Sequence, residues 1–183
     1  MEIEWYLDYV KKPILSKDKG EKIVLIVEKE EIFEKLKKFA DKNRILLMCS
    51  NNIPSLESIT IVEKLAKKKK VFYLGDLRAV SLYNYLCFVF GELILYSDLK
   101  VKNDISHLGL KAKDIDERLM SRTGEVIRGQ EQDVLDFLSK MKNAVNILKD
   151  EIDFLKKYDK FFEIEGFCLQ NNLEDYVKKE FQK

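Results

Sequence analysis

The sequence predicts an α/β protein: a mainly parallel four-stranded sheet with helices on both faces, followed by a C-terminal helical extension. Three observations carry this reading. Short, largely β-branched or apolar runs at Ile23 to Val27, Ile45 to Cys49 and Val71 to Leu74 are too short for buried helices and suit strands covered on both faces. Each run is followed by a stretch with helical apolar spacing, and with a fourth short run at Leu93 to Tyr96 the order becomes βαβαβαβ. That order calls for right-handed crossovers and a parallel sheet. Beyond Gln130 the apolar residues change to alternating steps of four and three, the mark of long helices.

The elements follow in order. Ile3, Tyr6, Leu7 and Val10 share one face of a short helix, which Pro13 ends by disfavouring a helical Lys12. Residues 17–22 are a polar connector, so residues 1–21 read as an N-terminal helix and linker. Strand one runs straight into Glu28, and Ile32, Phe33, Leu36 and Phe39 then recur at helical spacing. Glu28 therefore stands where a parallel strand hands over to a helix, the edge at which open α/β sheets bind ligands; it also suits the positive end of the next helix. After strand two, the loop SNNIPS carries turn chemistry, and Ser55 can cap a helix with Ile59, Val62 and Leu65 on its apolar face. Lys67 to Lys70 close that helix, either as a solvated end or as a phosphate-binding patch. The third strand passes through Gly75, Asp76, Leu77 and Arg78 into an apolar helix from about Ala79 to Phe90.

Composition limits function. Among 183 residues, 33 basic and 32 acidic side chains nearly cancel, so no global field draws the chain to nucleic acid or anionic membrane, and such binding must come from local patches. Cys49, Cys87 and Cys168 are too scattered to clamp zinc and read as thiols in a reducing cytoplasm. His107 is the sole histidine and reads as structural, which removes every scheme needing a His cluster. No run approaches the roughly 20 apolar residues of a membrane span, and no signal-length apolar stretch opens the chain, so a cytoplasmic location is expected.

The handovers resemble a known family. IVLIVEKEEIFEKL (23–36) is similar to the first motif of Toprim domains, specifically those of the meiotic break-forming proteins and of their relative, the topoisomerase VI A subunit, where a strand-ending Glu opens VEKxxxFxxL. ILLMCSNNIPSLESITIVEKL resembles the family's strand, Gly-x-Pro-Ser loop and helix, with Asn52 where glycine is usual. VFYLGDLRAVSLYNYL resembles the strand ending in Asp-x-Asp-Pro-x-Gly, and FFEIEGFCLQNNLEDYV resembles the Glu-x-Glu helix that closes these domains. Related segments occur in the nuclease subunit of Wadjet anti-plasmid systems. The resemblance covers residues 22–110 most fully, and these are expected to be the Toprim-like core, with 111–183 a helical extension packed on it or used for association.

In that family the first Glu and the two Asp of the third motif hold Mg²⁺ for phosphodiester chemistry. The resemblance thus implies Glu28 and Asp76 as metal-binding, catalytic positions, while Arg78 replaces the second Asp, and Ala79 and Ser81 replace the Pro and Gly. Mg²⁺ is a hard cation held by oxygen ligands. At about 4 Å and an effective dielectric near 20, exchanging Asp for Arg swings the interaction with a divalent ion by about 16 kcal/mol before solvent screening. Arg78 either points away or points in and bridges Glu28 and Asp76 in place of metal. In the family the cleaving tyrosine belongs to an upstream winged-helix domain, and with about two dozen residues before strand one such a domain is not expected here. Tyr83 and Tyr85 are substitutes in principle, but packing is the simpler role.

Two function classes follow. One is a stand-alone, degenerate Toprim protein of a DNA-processing system, acting through a protein partner or DNA. The alternative is a Mg²⁺-dependent nuclease or nucleotidyl-transfer enzyme that uses Glu28 and Asp76 and borrows a third ligand from Glu92, Asp98 or Asp104. A nucleotide-binding Rossmann domain is disfavoured because no Gly-rich loop follows any strand. DNA binding would need Lys67, Lys68, Lys69 and Lys70 to share a surface with Arg122 and Arg128. In the extension, Val134, Leu138, Met141, Val145, Leu148, Ile152 and Leu155 form a heptad seam, predicting one helix over 130–157. It could lie across the domain, pair with residues 161–181 as a hairpin, or associate with a second copy or partner. Asp159 ends the seam, and Tyr158, Phe161 and Phe162 turn the chain back.

Overall fold

The computed structural model describes residues 11–92, 100–168 and 172–181. The expected helix at Ile3 to Val10, the expected strand at Leu93 to Tyr96 and the candidate ligand Asp98 lie outside these residues. The described chain forms two compact units: residues 11–74, 87–92 and 101–107 make the first, and residues 75–86, 100, 108–168 and 172–181 the second.

The first unit holds a five-stranded sheet. In chain order its strands are β1 (Ile14–Leu15), β2 (Ile23–Val27), β3 (Ile45–Cys49), β4 (Lys70–Leu74) and β5 (Ile105–His107), arranged β1-β3-β2-β4-β5. Only β1 runs antiparallel, against β3; the other pairs are parallel, with Val27 level with Cys49 on one side and Leu74 on the other. β2 and β3 are buried over nearly their whole length, as runs without alternation require. The fourth parallel strand within the described residues is thus Ile105–His107, a stretch whose sequence reads as irregular, and the edge strand β1 lies in what reads as a linker.

Helix α1 (Glu30–Lys42) connects β2 to β3, and α2 (Leu56–Ala66) connects β3 to β4. These crossovers step in opposite directions along the sheet, so right-handed connections place the two helices on opposite faces. α1 has no side-chain cap at Lys29; Glu30 and Glu31 complement its positive end instead. Ser55 caps α2 as its position suggests, its hydroxyl accepting the Ser58 amide at 3.0 Å. α3 (Ala79–Phe90) is largely apolar and almost wholly buried, with Ser81 and Asn84 its buried polar residues, and its last turn, 87–90, belongs to the first unit.

In the second unit the predicted single helix is two. α4 (Glu117–Arg122) precedes α5 (Gln130–Lys140), and α6 (Lys142–Tyr158) follows after Met141 has turned extended (φ −85°, ψ 108°), with a further kink at Leu148. α5 and α6 pack on each other, burying Val134, Leu138, Met141, Leu148, Ile152 and Leu155. Six of the seven seam residues are thus buried within the chain, and Val145 is half-buried. Its period is the same for one long helix and for two shorter ones facing each other, and no Gly or Pro marks the break. Asp159 adopts a left-handed conformation (φ 51°) that ends α6. Lys160–Phe161 (β7) then pairs antiparallel with Glu125–Val126 (β6), and two helices follow, α7 (Ile164–Cys168) and α8 (Leu173–Phe181). Phe154 packs between Tyr158 (4.7 Å) and Phe162 (6.0 Å), whereas Phe161, expected in that aromatic cluster, lies under the Arg78 guanidinium instead.

Candidate functional site

The reversal of direction at β2 makes a topological switch point between β2 and β4, where open α/β sheets place ligands at the strand ends. Glu28 follows Val27 at that edge and is only 6% exposed. The Tyr73 hydroxyl donates to Glu28 Oε1 at 2.6 Å. Tyr73 faces Ile26 across the β2–β4 ladder, and Glu28 is two residues beyond Ile26, hence on the same sheet face; the tyrosine leans along the strand to meet it. On its other side Tyr73 stacks on His107, its partner in β5 (6.4 Å, 22°), and tilts against Phe88. His107 thus packs in the sheet, the structural role expected of a lone histidine.

The loop after β3 closes over Glu28 through its backbone. Asn51 and Asn52 both take left-handed conformations (φ 57° and 68°), and the Asn52 amide donates to the Glu28 carbonyl at 2.7 Å. Asparagine tolerates positive φ, which suits it to position 52, where the resemblance leads one to expect glycine. Cys49 Sγ lies 3.6 Å from the same carbonyl, and burial pushes its thiol pKa up, so the thiol stays neutral.

Asp76 and Arg78 belong to the second unit. Asp76 is 1% exposed, and its Oδ1 accepts the amide of Ile164, the first residue of α7, at 2.8 Å. The adjoining backbone is fixed by Leu77 and Phe162, which exchange two hydrogen bonds (2.9 and 3.0 Å). Arg78 is an ion-pair partner of two other carboxylates. Its Nε and Nη2 each lie 2.7 Å from Glu131 Oε1, its Nη1 lies 3.3 Å from Glu163 Oε1, and its guanidinium stacks over Phe161 at 4.8 Å. Glu131, itself buried, uses Oε2 to accept the amides of Ala79 (2.9 Å) and Val80 (3.4 Å) at the start of α3. One carboxylate from α5 therefore both caps α3 and anchors Arg78.

Other candidate residues fall elsewhere. Tyr83 and Tyr85 are 5% and 4% exposed and pack in the interior. Asp104 precedes Ile105, and Ile105 pairs with Val71 at the start of β4, so Asp104 stands at the strand-start edge and cannot join Glu28 at the strand-end edge. Glu92 pairs with Lys102 (3.3 Å), just ahead of the same strand start. Lys70 opens β4 level with Ile23, also at the strand-start edge, where Lys69 binds Asp18 (3.0 Å) and the Glu21 carbonyl (2.6 Å) and Lys67 lies 3.6 Å from Glu63. Arg122 and Arg128 belong to the second unit. Among the described residues no group of three or more His, Cys, Asp or Glu side chains is placed to hold a metal ion, and no helix is long and apolar enough to cross a membrane.

Tyr73 and Glu131 carry no signal in the sequence. Tyr73 becomes visible only once strand order is known, and Glu131 lies 53 residues from Arg78 with no pattern linking them. Glu163 has a signal, as the first acid of the Glu-x-Glu segment.

A switch-point carboxylate after the first core strand, a second acid after the strand beside it and a mainly parallel sheet define a Toprim-type fold. The family model described as the Toprim domain of Spo11 and the topoisomerase 6 A subunit matches residues 23–182, and the chain belongs to that family. None of the curated proteins compared matches it.

Proposed function

We propose that this chain is a catalytically silent Toprim domain in a DNA-processing system, acting by holding DNA or a protein partner rather than by cutting. Membership of a family named for Spo11 and a topoisomerase supports the DNA-processing setting. The observation that carries the silent reading is Arg78: it replaces a metal-ligating carboxylate and is tied to Glu131 and Glu163. Arg78 puts a guanidinium where Mg²⁺ would need an oxygen ligand, and a cation repels the divalent ion. Asp76 in addition holds the Ile164 amide, a structural task. Of the third oxygen donors considered for the nuclease alternative, Asp104 and Glu92 stand at the edge opposite Glu28, and Asp98 lies outside the described residues.

The test is incubation of supercoiled plasmid with the purified protein in Mg²⁺ and in Mn²⁺. Intact plasmid supports the proposal. Nicking that disappears in Glu28→Ala would overturn it.

A further inference from the structure

We infer that the strand-start edge of the five-stranded sheet, opposite Glu28, is a surface for the phosphate backbone of duplex DNA; this rests on the reading that the domain serves DNA processing. The charge of the first unit is segregated along its strands. α1 and α2 each leave a strand end and return to a strand start, so their C-terminal turns gather with the 17–22 connector at one edge. Segments 17–22, 37–44 and 63–70 carry twelve basic residues and four acidic ones, an excess of eight in a chain whose net charge is +1. At the strand-end edge the excess vanishes: residues 11–13, 28–31 and 50–57 carry Glu28, Glu30, Glu31 and Glu57 against Lys11, Lys12 and Lys29, and the Asn51 side chain bonds the Lys12 carbonyl there. The edges are about 13 Å apart, four strand steps of about 3.3 Å.

The basic edge is concave. A cavity of about 330 Å³ is lined by Lys17, Lys19, Lys37 and Lys38, with Glu21 and Asp41 as its two acids. Its internal neutralisation is partial: Lys19 pairs with Asp41 and Lys37 with Glu34, both exposed, whereas Lys17 and Lys38 have no ion pair among the described residues. Lys22, Lys42, Arg44, Lys64 and Lys68 add further positive charge to the three segments. Lysine dominates this edge, with one arginine and no tryptophan or tyrosine in the three segments. Protein-binding hot spots favour Trp, Tyr and Arg and their cores are depleted in Lys, so this composition points to phosphate rather than to a protein surface.

The proposal separates DNA holding from the Glu28 edge, and fluorescence anisotropy with a labelled duplex over a salt series tests it. The variants are Lys37→Glu/Lys38→Glu, Lys67→Glu/Lys68→Glu and, at the strand-end edge of the same unit, Lys11→Glu/Lys12→Glu, with circular dichroism confirming that each is folded and Lys→Gln versions as milder pairs. Each strand-start pair should weaken binding by about ten-fold or more at low salt and lower the slope of log K against log salt by about 2. The Lys11/Lys12 pair should do neither. Full binding in both strand-start variants, loss only in the Lys11/Lys12 variant, no duplex binding at low salt, or equal binding to polyglutamate would each overturn the assignment. Plasmid cleavage would sink the silent reading without touching this surface.

Discussion

Glu131 grips Arg78 with one carboxylate oxygen and the amide of Ala79 with the other. The same side chain thus satisfies the Arg78 cation and two backbone donors that the start of α3 would otherwise leave orphaned. Replacing it with alanine strips both at once. Glu131→Ala should cost about 2 to 3 kcal/mol in urea unfolding, toward the lower end for a broken buried pair because Arg78 is partly exposed, and Glu131→Gln, which keeps an acceptor, should cost less.

Tyr73 supplies Glu28 with a hydrogen bond inside the sheet layer. Tyr73→Phe preserves the stacking on His107 but removes that donor from a carboxylate that is 6% exposed. A loss of about 1 to 2 kcal/mol is expected, and the double variant with Glu28→Gln should be less than additive. Strictly additive losses would show that the hydrogen bond carries no coupling.

Gly109 is required by a close approach of two backbones. A Cβ there would sit 2.5 Å from the Gly75 carbonyl oxygen and 2.7 Å from its nitrogen, and the Leu110 amide bonds that same oxygen at 3.1 Å. Backbone cannot swing aside as a flexible side chain can. Gly109→Ala should lower stability by about 1 to 3 kcal/mol, read as a fall in Tm.

Tyr176 gives the fold a pH dependence of known sign. Its hydroxyl lies 3.0 Å from both the Gly109 carbonyl and Asp114 Oδ2, and burial first, then the Asp114 charge, raises its pKa well above the ordinary value of 10.0. With the folded pKa above the unfolded one, the stabilisation is complete below pH 10 and is lost as the pH climbs beyond it, where the unfolded chain releases a proton that the folded chain keeps. Stability measured from pH 8 to 11 should therefore fall at the alkaline end, and Tyr176→Phe should flatten that fall.

The core strands are legible in the sequence because β2, β3 and β4 are apolar runs bounded by turn chemistry, and Ser55 and Glu28 stand where strand–helix handovers put them. β5 is not legible: Ile-Ser-His is three residues with no apolar period, and it becomes a strand only by pairing with Val71 to Tyr73. The two-residue β1 is defined by β3 in the same way. The seam from Val134 to Leu155 reveals its buried face but not the break at Met141, since a fold-back leaves the period unchanged. At the site, residue types are readable and partners are not. Arg78 announces itself as a departure, whereas Glu131 and Tyr73 are brought to their partners only by tertiary packing.

Whether Arg78 stands in place of a metal ligand is tested most directly by calorimetric titration of the purified protein with Mg²⁺ and Mn²⁺, beside Glu28→Ala. The account predicts no saturable heat in either protein. Saturable binding in the native chain that vanishes in Glu28→Ala would contradict it.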